Sequence, residues 1–287
     1  KYEDNRPPWQ VIEDGLVRVH WYEGNAAFGQ AAFDVAHRGL QAIADLVPVD
    51  ISTPVDIYIY ASALEVQEAL GLGGESWAAG HANPDLGVVL VSVAPGETQG
   101  IEMERQIPHE LTHVLLYGYT GPAYGQLPPW LVEGLATRAE LYPDADYRHI
   151  LEIAGENGNL IPINDLCSTF PQDASGAILA YAESGSFVEY LQATHGTSGL
   201  QALLDAYADG LGCEQGAYRA LGMPLSRLDL HWRQAALGQD IAGIAFQNFL
   251  PYLLLLALVL IIPAWRIRML RGGEKEKKKD GSARSRR

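Results

Sequence analysis

The chain has 287 residues, 48% of them hydrophobic, and a formal net charge of −15, which allows one or two domains with real cores. The charge is unevenly divided: ten basic and three acidic residues lie from Trp265 onward, leaving ten basic and thirty-two acidic before it, a balance of −22. So acidic a body repels phosphates and excludes nucleic acid as a natural partner.

The opening KYEDNRPPW, with no charged and apolar leader before it, reads as a start from which a signal peptide has been removed or left out. Val11 to Glu23 is strand-like with a turn at Asp14-Gly15, and Ala26 to Val47 has helical apolar spacing that ends before Pro48. Val55 to Tyr60 alternates as a strand, and Ala63 to Leu70 is a short helix stopped by Gly71. Leu72-Gly73-Gly74 lacks the strand-before, helix-after context of a phosphate loop. Leu86 to Val93 is a further strand, read as an edge open to an extended peptide by β-addition. From Trp130 the chain reads as helices: Leu131–Glu140, Ala177–Thr194, Gly199–Ala208, Glu214–Leu221 and Leu225–Leu237. The pattern is α+β over residues 1–127 and all-helical over 128–240. Cys167 and Cys213 fit either one disulfide or two separate buried thiols.

Residues 244–265 carry no charge and include LLLLALVLII, the composition expected of a transmembrane helix. The basic stretch 266–287 directly after it would stay in the cytoplasm by the positive-inside rule. The expected location is therefore the cell membrane, single-pass, with the body extracellular or periplasmic and lipid as a partner of the span.

The chemistry concentrates in PHELTHVLLY, where His109, Glu110 and His113 have HExxH spacing. On a helix, residues four apart share a face, so both imidazoles can reach one metal ion. Glu110, beside His109, can take a proton from a metal-activated water without ligating. Nineteen residues separate His113 from Glu133 in PPWLVEGLATRAE, and His₂Glu is a recognised catalytic zinc set. Glu140, seven residues further and on the same helical face, is a rival third ligand or a partner that orients a histidine. His81 lies beside the expected edge strand as a structural or substrate-facing residue. His20, His37 and His149 have no partner spacing.

HELTH followed by WLVEGLA resembles the gluzincin metallopeptidases, whose aminopeptidase-N branch carries HExxH and then WLNEGFA. The closer likeness is to the bacterial peptidase-MA-like group, through AGHANPDLGVVLVSV, YAESGSFVEYLQATHG and ALGMPLSRLDLHWRQAAL, and covers roughly Trp9 to Leu237. The resemblance implies a thermolysin-like α+β fold with a small sheet and a helical subdomain. It also implies Zn²⁺ held by His109, His113 and Glu133, with Glu110 as general base, and a peptide or protein substrate. Related enzymes stabilise the oxyanion with a Tyr or His from the helical half. Tyr181 is the candidate here; Tyr117, Tyr119, Tyr124, His195 and His231 compete. GETQGIEMERQ does not reproduce the GxMEN-type segment that holds a substrate's free amine in the aminopeptidases, and the ligand spacing is one residue longer than theirs. The expectation is an endopeptidase; the alternatives are an aminopeptidase or a catalytically silent, zinc-stabilised binding ectodomain.

Overall fold

The alternation in VDIYIY explains the centre of the fold. In a computed structural model, which describes residues 2, 4–49, 54–70, 80–238 and 249–261, this segment is strand β3 (Val55–Tyr60). It sends Ile57 and Ile59 into one buried cluster and Tyr58 and Tyr60 into another on the opposite face, as a period of two requires. β3 lies parallel to β2 (Val17–Trp21) and to β5 (Val88–Ser92). β1 (Gln10–Glu13) and β4 (Gly80–Asn83) close the two edges antiparallel, giving the order β1-β2-β3-β5-β4. The edge expected at Leu86–Val93 is corrected by this order. β5 has a neighbour on each side, Pro84–Leu86 form a 3-10 turn, and among the described residues the edge on this side of the sheet is β4.

Helix α1 (Ala26–Leu46), capped by the Asn25 side chain on the Phe28 amide, packs its apolar face on the sheet. A short α2 (Ala63–Leu70) sits against the opposite cluster. Helix α3 (Gln99–Thr120) is docked to the end of β5 by Gln106. Its amide accepts the Ser92 N–H at 3.1 Å and donates to the Ser92 carbonyl at 3.0 Å, extending the strand's own pattern with a side chain.

The rest of residues 1–238, which cluster as one compact unit, is helical: α4 (Pro129–Ala139), α5 (Asp146–Asn157), α6 (Ala174–Ala208), α7 (Cys213–Leu221) and α8 (Leu225–Leu237). α6 is broken at Gly196, whose φ of 70° and ψ of −177° leave the helical region, so it is the two expected helices end to end. Fully buried Trp130, Phe187 and Trp232 stack edge to face between α4, α6 and α8. α4 and α6 approach so closely that a Cβ on Gly134 would sit 2.6 Å from the Ser184 carbonyl oxygen. Cys167, at the end of the 3-10 turn Ile163–Cys167, is disulfide-bonded to Cys213 at the start of α7. That settles the pairing left open above.

The expected transmembrane helix over 244–265 is corrected: among the described residues no helix is long and apolar enough to cross a membrane. The part of that stretch described, residues 249–261, is helical and spans about 20 Å at the α-helical rise, against the roughly 30 Å of a hydrocarbon core. Residues 244–248 and 262–287 lie outside the described set. The lipid contact inferred from that stretch has no support in the structure.

Candidate metal centre

His109, Glu110 and His113 all stand on α3, and the fold brings α4 across them. His109 Nε2 lies 3.4 Å and His113 Nε2 3.8 Å from the same oxygen, Oε2 of Glu133. The ligand atoms of these three residues all fall within 4.8 Å of one another. Zinc–ligand bonds of about 2.0–2.2 Å in a tetrahedron place neighbouring ligand atoms roughly 3.3–3.6 Å apart. The group is thus positioned to bind a metal ion.

Each imidazole is oriented by a bond at its other nitrogen. His109 Nδ1 is 3.0 Å from Oε1 of Glu140, and His113 Nδ1 is 2.9 Å from the Tyr124 hydroxyl. For Nε2 to offer a lone pair, Nδ1 must carry the proton and donate it to these oxygens. Glu140 therefore stands on the far side of His109 from Glu133 and outside the converging group. Tyr124, considered above for the oxyanion, is committed to His113.

Burial and mutual charge set the electrostatics. Burial opposes the charged form of His109, but the carboxylates of Glu133 and Glu140 outweigh it and push its pKa well up. Burial lowers His113 to about 4. Burial also raises Glu133, yet His113 and His109 hold it below the usual carboxylate value. Burial raises Glu140 against the pull of His109.

Glu110 points to the sheet's free edge. Its carboxylate accepts the backbone N–H of Ala82 on β4, and burial pushes its pKa up to about 7. A Cβ on Gly80 would lie 2.5 Å from Glu110 Oε1, so glycine alone leaves the carboxylate its place. The residue preceding His81 in AGHANP gave no sign of this role in the sequence.

Tyr181 of α6 reaches the site, its ring 5.9 Å from that of His109 and 5.2 Å from Phe170. Burial is the main cause that raises its pKa, and Glu133 and Glu110 add to it. The remaining candidates do not join the group. Tyr119 donates to Asp205 at 2.6 Å and Tyr117 packs on Tyr124. His195 lies beside the α6 break and His231 on α8. His81 is exposed on β4, near enough for its charge to act on His113. Tyr147 on α5, unnoticed in the sequence, feels the charges of Glu140 and Glu133 and so lies near the same centre.

Comparison with curated proteins gives no match. The family profile described as Peptidase MA superfamily matches residues 35–238, a span that includes α3, α4 and every residue of the converging group. The chain belongs to the Peptidase MA superfamily.

Proposed function

We propose that the chain is a zinc-dependent endopeptidase in which His109, His113 and Glu133 hold the metal and Glu110 is the general base. The observation that carries this reading is the convergence of His109, His113 and Glu133 on one point, with the Glu110 carboxylate held on the β4 backbone beside them. Zinc bound there would supply Lewis-acid polarisation of the scissile carbonyl and lower the pKa of water to about 7.

The protein's own groups do the rest. Glu110 accepts a proton from the attacking water as its oxygen bonds to the carbonyl carbon, then delivers that proton to the amine nitrogen as the C–N bond breaks. Tyr181, beside His109, donates its hydroxyl proton in a hydrogen bond to the oxygen that gains charge. The free edge of β4 offers an extended peptide a strand to pair with.

Two of the three glutamates of GETQGIEMERQ favour internal cleavage over removal of N-terminal residues. Glu102 accepts from Gln106 at 3.1 Å, and Glu104 pairs with Arg38 of α1 at 2.7 Å. Both are engaged away from the role of holding a free amine.

The test compares wild type with Glu110→Gln for bound zinc, thermal unfolding and cleavage of peptides with free and blocked termini. The variant should keep zinc and fold and lose cleavage by roughly 10²–10⁴-fold. Equal cleavage by both proteins would refute the mechanism. Cleavage confined to free N-termini would establish an aminopeptidase, and none by wild type a binding module.

A further inference from the structure

One residue before the first metal-binding histidine, α3 contains a proline. Pro108 has no N–H, so the Glu104 carbonyl one turn earlier loses its partner within the helix, and the proline ring pushes that carbonyl aside. The carbonyl instead accepts the Leu141 N–H at 2.9 Å. Leu141 directly follows Glu140, where α4 ends in extended backbone at φ −56° and ψ 128°. Two adjacent residues of the α4 end thus bond to α3, Leu141 through its amide and Glu140 through Oε1 on His109.

Other contacts hold this arrangement. The Glu104 side chain is paired with Arg38, and the Pro108 ring packs so near α1 that a Cβ on Gly39 would lie 3.0 Å from Pro108 Cβ. The second Glu140 oxygen is buried with no hydrogen-bond partner among the described residues. The backbone tie at Leu141, and not a second side-chain bond, therefore fixes where the Glu140 carboxylate can stand.

We propose that Pro108 is a positioning residue for the metal centre: it leaves the Glu104 carbonyl open to Leu141, and that bond sets Glu140 against His109. The inference rests on the reading of His109, His113 and Glu133 as metal-binding.

The experiment uses the full chain and zinc titrated against a chelating competitor, with hydrogen exchange followed at the Leu141 amide. Pro108→Ala restores an N–H to α3, so the Leu141 amide should lose protection and the zinc dissociation constant should rise about tenfold, the lower end for loss of a ligand's orienting partner. In a Glu140→Ala background, which has no oxygen left for His109, the same substitution should cause no further loss. Unchanged protection and affinity in Pro108→Ala would overturn the proposal. So would a loss that simply adds to that of Glu140→Ala. If Pro108→Ala does not fold, Leu141→Pro deletes the donor from the other side, and the extended Glu140 backbone suits a residue before proline. It should weaken zinc to the same degree, and wild-type affinity there would equally overturn the proposal. A wild-type chain that binds no zinc would instead refute the metal-site reading from which this one starts.

Discussion

The Tyr124 hydroxyl stands 2.9 Å from His113 Nδ1, which makes it the counterpart, on the second histidine, of Glu140 on the first. Tyr124→Phe should raise the zinc dissociation constant by about 10-fold or more, as removal of such partners does. It should cost only about 1 kcal/mol of stability, the worth of one hydrogen bond. Competition titration and denaturant unfolding on the same samples check both numbers.

Glu133 and Glu140 lie on opposite sides of His109 and should respond differently. Glu133→Gln replaces the anionic carboxylate on which both Nε2 atoms converge with a neutral amide, a far weaker zinc ligand, and zinc should be lost from the purified protein. Glu140→Gln keeps an oxygen able to accept from His109 Nδ1, and affinity should fall within the 10–100-fold range. A larger loss for Glu140 would exchange the two roles.

Gly80→Ala would place a methyl group 2.5 Å from Glu110 Oε1 without touching a ligand. The carboxylate must move, and a displacement of about 1 Å can cost ~10² in rate. The expected result is roughly hundredfold slower cleavage with zinc content unchanged. Wild-type turnover would mean that Glu110 has room elsewhere.

Glu183 predicts how stability depends on pH. It is fully buried on α6; one oxygen accepts the Ile161 N–H at 2.9 Å and the other has no partner among the described residues. Burial pushes its pKa from 4.5 up to about 8. Between those values the folded state holds a proton that the unfolded state has released. This group's contribution is therefore complete below pH 4.5 and lost as pH rises through about 8. Glu183→Gln should flatten that decline relative to wild type. Urea unfolding at pH 5 and pH 8, both with chelator present, measures the difference, and parallel curves would refute it.

The residues of the candidate metal centre were the most legible part of the sequence, because HExxH encodes its geometry in a spacing of four on one helix. Glu133 and Glu140 followed from a second helix whose phrase WLVEGLA is built around the buried Trp130. The strand β4 was invisible: GHAN is four residues long with a leading glycine and no apolar alternation. Its identity as the edge comes from tertiary pairing with β5 alone. Helix α5 was also missed, since only Leu151 and Ala154 of DYRHILEIAGEN are buried and the stripe is too thin to recognise. The bond from Tyr124 to His113 depends on the 3-10 turn Gly121–Gln126 after α3, which local spacing does not announce. At residues 244–265 the apolar composition pointed to a membrane span, whereas among the described residues no helix is long and apolar enough to cross one.

The bridge from Cys167 to Cys213 encloses all of α6 in one covalent ring. A single backbone cut anywhere between those cysteines releases no fragment. Such a nicked molecule would keep its mass and migrate as one species until a reductant is added, when it would part into two. Cleavage within this stretch is therefore hidden from any assay that looks only for lost fragments under oxidising conditions.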